Sequence, residues 1–476
     1  MTGDPRILEG SFRDPSGFVF VREGTVYRQV NRRYQADYDR LMSSGLYDEL
    51  VGRGLLIAHR ETADAPFESS SAYKIIRPDP LAFVSYPYEW SFGALKEAAL
   101  TTLSAQRSAL ARGMTLKDAS AFNVQFFGAR PLLIDTLSFE TLAEGRPWAA
   151  YGQFCRHFLA PLAVTAGTGQ WLNSLLATHL DGLPLDMAAA LLPVRSRFRP
   201  SLLSHIHFHA AAIRRSARRP DPFSARRRPL MGMRALMGLT DHLESAIRRL
   251  AWKKGRTAGW SDYYGRTSYS RTAFEAKKAF VVRALETIRP ASVWDLGANT
   301  GEFSRLASER GIFTVSVDGD PACVEETYRS AWNVRDAKLL PLVVDVANPS
   351  PGLGWEGLER EPFAARGPAD MVLALALVHH LSISRNIPLA KVARFLGRIC
   401  RWLVIEFVPK GDPQVDEMLA LREDIYEDYT ERSFESILGR SFEIVGQERI
   451  PETPRTLYLM KNRSGKAAAA PSPGDR

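Results

Sequence analysis

The chain is poor in cysteine: Cys155, Cys323 and Cys400 are the three in 476 residues, far apart and with no CxxC among them. That spacing argues against a disulfide framework and a structural zinc site, and it suits a reducing, cytoplasmic compartment. The opening stretch, MTGDPRILEGSFRDPSG, lacks the apolar run of a secretory signal. Also missing is any window of about 20 uninterrupted apolar residues, the length a membrane helix needs. The nearest, Phe158 to Val194, is broken by Gly, Thr, Asp and Pro, so no transmembrane segment is expected. No internal repeat occurs. Hydrophobic content of 45% and charged content of 24% are those of a globular protein, and the length favours more than one domain.

What is present is unevenly charged. Between Val194 and Arg256 the sequence holds 16 Lys/Arg against 3 Asp/Glu, an excess of 13 that is larger than the net +9 of the whole chain. The remainder is slightly acidic. Such a segment is either a solvated linker with helix faces or an attractor of phosphate-bearing partners, whether nucleic acid, lipid headgroup or glycan.

Gly17 to Val30 reads GFVFVREGTVYRQV, two alternating runs around Glu23-Gly24, which predicts a hairpin. Helical spacing follows over Tyr34 to Leu56, then strand-like runs at Tyr73 to Ile76 and Ala82 to Tyr86. A helix is expected over Ser91 to Arg112. The Pro/Arg-rich run Arg214 to Pro229 reads as a boundary, and the tail from Ser464 as low complexity. The expected organisation is an α+β domain over 1–213, a basic connector over 214–256, a second domain over 257–462 and a disordered tail over 463–476.

The second domain opens a strand–helix alternation. Ala291 to Asp295 is apolar and ends in an acid, Leu296 to Gly301 is a glycine-containing turn, and a helix follows. Later apolar runs end at Asp318 and Asp345, another runs from Met371 to Val378, and a fifth, Trp402 to Phe407, carries Glu406. This pattern predicts a parallel doubly wound sheet with its ligand beyond the carboxyl ends of the strands, where the acids cluster. Gly297-Ala-Asn-Thr-Gly301 does not fit the G-x-G-x-x-G of a dinucleotide site.

The segment VWDLGANTG, Val293 to Gly301, resembles motif I of class I, Rossmann-like S-adenosylmethionine methyltransferases. Asp295, Gly297 and Gly301 match that motif, and Asn299 stands where its middle glycine is usual. The resemblance covers roughly Trp260 to Lys461 and implies S-adenosyl-L-methionine as cofactor. Asp295 and the turn would then lie against its methionine part, Asp318 would bind the ribose, and Asp345 would reach the adenine amine. His379 and His380, after the fourth strand, are the candidates for an acceptor-side base, since neutral imidazole is poised near physiological pH. Successive side chains diverge there, so one is expected to face the cleft. Glu406 is a further candidate, to polarise an acceptor or to hold an active-site helix. Tyr263, Tyr264 and Tyr269 are expected near the pocket, as are Arg422, Asp424, Tyr426 and Tyr429. The absence of N/D-P-P-Y and of a Pro-Cys loop disfavours adenine or glutamine amino methylation and covalent pyrimidine methylation.

In the first domain, Asp118 and Asn123 have the D-x-x-x-x-N spacing of a kinase catalytic loop, and Asp135 follows after a strand pair. This resembles a kinase or aminoglycoside phosphotransferase-like fold, in which those residues would serve Mg²⁺ and ATP. The sequence departs from the pattern: Thr-Leu-Lys precedes Asp118, Thr-Leu follows Asp135, and no glycine-rich loop lies in Gly17 to Val30. As a whole the chain resembles two-part bacterial methyltransferases, some of them linked to nodulation. The function this implies is methyl transfer to an O, N or C atom of a small-molecule or glycan-type acceptor that the first domain recognises. A bifunctional kinase–methyltransferase, a pseudokinase docking scaffold and a nucleic-acid methyltransferase are the alternatives.

Overall fold

The computed structural model describes residues 5–218, 230–253, 269–420 and 423–464. Tyr263, Tyr264, Arg422, most of the Arg214 to Pro229 run and the tail beyond Ser464 lie outside the described residues. The chain divides into two compact units. The first comprises 1–127, 131–257 and 353–360, and the second 128–130, 258–352 and 361–476.

The first unit is α+β. Its five-stranded antiparallel sheet is built on the expected hairpin, Gly17–Arg22 with Thr25–Asn31. Glu23 and Gly24 both take positive φ (49° and 74°), the paired left-handed residues that let a two-residue turn follow strand twist. Helical spacing from Tyr34 resolves into two helices, Gln35–Ser43 and Leu46–Gly52, broken where Gly45 turns left-handed. The strand expected over Ala82 to Tyr86 does not form. Ser85 N–H bonds the Gln125 side chain instead of a strand, and Pro87 opens a short turn. Phe92–Ala111 is the central helix, capped by the Ser91 hydroxyl. The helical part of the expected connector, Met233–Arg249, packs in this unit through Lys96, which donates to the Arg248 and Leu250 carbonyls, and through Arg107, paired with Asp241 and Glu244.

The second unit is a seven-stranded sheet: β1 (Ser292–Leu296), β2 (Phe313–Asp318), β3 (Leu339–Val343), β4 (Ala369–Ala374), β5 (Cys400–Phe407), β6 (Phe442–Arg449) and β7 (Thr456–Asn462). Their spatial order is β3-β2-β1-β4-β5-β7-β6. The first five are parallel, as the strand–helix alternation requires. The sheet is mixed, however, not wholly parallel as expected: β7 runs antiparallel to both β5 and β6. Helix α1 (Arg271–Ile288) covers one face, packing Phe280, Val281, Ala284 and Leu285 against Val293, Met371, Leu373 and Val404. All five parallel strands end on the same edge, and the loops after β1 to β4 therefore face a common space.

Candidate cofactor and acceptor site

A cavity of about 520 Å³ opens at that edge. The volume is in the range that ligand-sized clefts occupy. Asp295, Gly297 and Asn299 reach it from the end of β1, Asp318 and Asp320 from β2, and Asp345 from β3. Leu375, Leu377 and His380 come from the loop after β4, and Tyr269, Phe274 and Lys277 from the start of α1 and the residues before it.

The turn after β1 is held by its own backbone. The N–H groups of Gly297 and Ala298 both donate to the Val317 carbonyl, at 2.8 and 2.9 Å, tying the turn to the end of β2. Gly297 has φ 73° and Asn299 φ 50°. Asn is among the few side chains that accept this left-handed region, which accounts for Asn299 standing where glycine is usual. The Asn299 N–H donates to Asp318 Oδ2 at 2.8 Å, and the Asp320 N–H to Asp318 Oδ1 at 2.7 Å. The Asp318 carboxylate is thereby fixed in orientation at the cavity wall. Burial nevertheless holds its acidity below that of an ordinary aspartate, so its pKa is raised. Gly301 does not line the cavity. It caps α2 (Glu302–Ser308) at φ 76°, and a Cβ there would meet the Thr327 side chain at 2.7 Å.

Asp295 lies on the floor, fully buried, and accepts a 2.6 Å hydrogen bond from the Ser304 hydroxyl. Burial raises its pKa to about 6, against the opposing effects of Ser304 and Lys277. Asp345 is more exposed; it accepts from the Ala347 N–H and pairs with Arg385 at 3.2 Å.

Beneath the cavity sits a buried ionic network. Lys277 pairs with Glu406 at 2.7 Å and lies over the rings of Tyr269 and Phe303. The Tyr269 hydroxyl donates to Glu406 and accepts from Arg455. Arg455 grips Asp412 with two bonds, at 2.6 and 2.9 Å, and reaches Gln414 at 3.1 Å. Burial raises the Glu406 pKa, but Lys277 and Arg455 outweigh it and keep the carboxylate below the ordinary range. Burial lowers the Lys277 pKa, and Glu406 counters it. Glu406 itself is wholly buried and does not line the cavity, whereas its partners Lys277 and Tyr269 do.

The two histidines part. His380 lines the cavity, while His379 is buried with neither ring nitrogen hydrogen-bonded. Burial drives the pKa of both down, that of His380 to about 4, so both rings are neutral at pH 7 and neither is poised near physiological pH as expected.

No protein-family model matches the chain. It is 36% identical over 468 residues to nodulation protein NoeA of Rhizobium meliloti (strain 1021), an alignment covering 96% of each chain. The chain belongs to the NoeA family. Among solved structures it is similar to WbdD, at 16% identity and TM-score 0.30, over 43% of each chain and so under half of WbdD. It is also similar to magnesium protoporphyrin IX methyltransferase ChlM of Synechocystis PCC 6803 with bound SAH, at 19% identity and TM-score 0.31, over 43% of this chain and 92% of that one. The likenesses to these two structures are too slight to bear on the site of a NoeA-family protein, whose reading rests on its own geometry.

Of the residues expected near the pocket, Tyr269 lines it. Tyr429 instead packs in the core against Phe407 and donates to the Val408 carbonyl. Asp424 pairs with Lys410, and Tyr426 donates to the Ile383 carbonyl. Lys277 was not anticipated. Its signal was available: a lysine on the apolar stripe Ala273, Lys277, Val281 and Ala284 can stay buried only with an ionic partner.

In the first unit, Asp118, Asn123 and Asp135 do come together. Asn123 and Asp135 share the Ser138 hydroxyl, at 3.2 and 2.7 Å, and Asp118 bonds the Ser120 N–H. Asp135, however, is paired at 2.7 Å with Arg28, both largely buried.

Proposed function

We propose that the second unit is an S-adenosylmethionine-dependent methyltransferase acting on an oxygen, nitrogen or carbon of a small-molecule or glycan-type acceptor, which the first unit recognises. The observation that carries this reading is the convergence of Asp295, Asp318 and Asp345 from three adjacent strand ends on one cavity, around a left-handed turn at Asn299. The sheet also departs from the 3-2-1-4-5-6 order of dinucleotide-binding domains by its antiparallel β7. Kinship to NoeA extends over both units, which supports treating them as one functional chain.

When bound, S-adenosylmethionine supplies a methyl group on a sulfonium. This chain's residues then have distinct tasks. Asp318, pre-oriented by two backbone N–H groups, would hold the ribose hydroxyls. Asp295, on the cavity floor, would offer negative charge to the sulfonium. The Lys277–Glu406–Tyr269–Arg455 network fixes the start of α1 and so the Phe274 and Tyr269 side of the cavity. His380, neutral, takes the acceptor proton. Alignment and exclusion of water account for the remaining acceleration.

His380→Ala is expected to lower turnover about 100-fold, the scale of a lost general base. His379→Ala is expected to leave turnover nearly intact and to lower the melting temperature. Equal turnover losses in the two variants would contradict this assignment. The acceptor itself is sought by profiling a metabolite extract with methyl-labelled S-adenosylmethionine, comparing the intact chain with Asp295→Ala. A labelled product formed only by the intact chain is expected; label transfer of equal extent by Asp295→Ala sinks the reading.

Mg²⁺ and ATP do not fit the first unit. The Arg28 guanidinium neutralises Asp135, the carboxylate such a metal would need. The intact chain is therefore expected to release no phosphate from ATP above background with Mg²⁺. Release that Asp135→Ala abolishes would restore the bifunctional reading.

A further inference from the structure

The basic segment found in the sequence is not used by the methyltransferase site. Part of it, together with the residues just before it, forms a surface of the first unit. Helix Leu185–Leu191, the turn Val194–Phe198, and the continuous helical stretch from Leu203 to Arg218 are neighbours in sequence and in space. The Ser196 hydroxyl bonds the His207 imidazole at 2.8 Å and fixes the turn against that stretch.

This surface carries two features that rarely coincide. Large apolar side chains stand in solvent: Phe198 is 82% exposed, Val194 72% and Phe208 62%. Met187 and Leu191, one helical turn apart, are exposed as well. Arginines alternate with them: Arg195, Arg197 and Arg199 flank Phe198, and Arg214 and Arg215 follow Phe208. All five arginines are exposed, and none forms an ion pair among the described residues. Between Leu183 and Arg215 the one acid is Asp186.

We propose that this surface docks the protein on an anionic lipid bilayer, with Phe198, Val194 and Phe208 entering the headgroup–acyl boundary and the arginines pairing with lipid phosphates. Apolar side chains projecting between cations are what an interfacial site needs, because acyl chains reward the former and anionic headgroups the latter. A nucleic acid would reward the arginines, but Val194, Met187 and Leu191 would gain nothing from a phosphate backbone. A second copy of the same surface would bring like charges face to face. No helix among the described residues is long and apolar enough to cross a membrane, so the contact is peripheral.

The test is co-sedimentation of the full chain with vesicles of phosphatidylcholine alone or with one third phosphatidylglycerol. The full chain is expected to pellet with the anionic vesicles and to stay largely in solution with the neutral ones. Val194→Ser with Phe198→Ser and Phe208→Ser is expected to lower the anionic partition at least tenfold without changing the melting temperature, since all three side chains are exposed. Arg195→Glu with Arg197→Glu and Arg199→Glu is expected to do the same. Failure to bind anionic vesicles overturns the proposal, as does binding that the serine variant leaves unchanged. Binding to short RNA or duplex DNA with no vesicle binding also overturns it, in favour of a nucleic-acid surface.

Discussion

Asp318→Ala is expected to weaken S-adenosylmethionine binding by one to two orders of magnitude. Two contributions add. The ribose hydroxyls lose a charged acceptor, and hydrogen bonds to ionised groups are worth about 1.5–3 kcal/mol each. The turn also loses its brace, because the same carboxylate holds the Asn299 and Asp320 N–H groups. Asp318→Asn separates the two: an amide oxygen still accepts one of these bonds but carries no charge. It is expected to bind more tightly than Asp318→Ala and less tightly than the native chain. Calorimetric titration of all three proteins checks the order, and unchanged affinity in Asp318→Ala removes Asp318 from the site.

Arg455→Ala is expected to be the most destabilising single change in the second unit. Arg455 is fully buried among Glu406, Asp412 and Tyr269. Its removal leaves Asp412 buried without its cation and Glu406 with Lys277 and the Tyr269 hydroxyl. Breaking a buried pair from one side costs about 3–5 kcal/mol, because the charge left behind remains desolvated. For a unit of this size that corresponds to a fall in melting temperature of roughly 10 °C. Arg455→Lys recovers only part of it, since an ammonium cannot reproduce the two-point grip on Asp412. A second-unit melting transition that does not move in Arg455→Ala contradicts this account of the network.

The parallel half of the second unit was legible because its strands are buried on both faces and read as apolar runs ending in acids. The antiparallel pair β6 and β7 was not. β6 is exposed over most of its length, with Glu443, Gln447, Glu448 and Arg449 outward, so it lacks the alternation that marks a half-buried strand. Asp295, Asp318 and Asp345 were legible as acids at the ends of apolar runs, while their tasks toward a cofactor came from the resemblance carried by Val293 to Gly301. Which of His379 and His380 faces the cavity could not be read, because that depends on the wide π-helical turn His380–Ser384. The depth of Glu406 was likewise hidden: its burial depends on Arg455, 49 residues later, and on Lys277 far before it. In the first unit, the triplet Asp118, Asn123 and Asp135 was visible, but the arginine that changes its meaning sits on a distant hairpin strand, at Arg28.

The central claim is that the cavity at the carboxyl edge of β1 to β4 receives S-adenosylmethionine. Calorimetric titration of the full chain tests it most directly. One-to-one binding of S-adenosylmethionine, displaced by S-adenosylhomocysteine and untouched by NAD⁺, is the predicted result. No heat with S-adenosylmethionine, or saturable binding of NAD⁺ in its place, would contradict it.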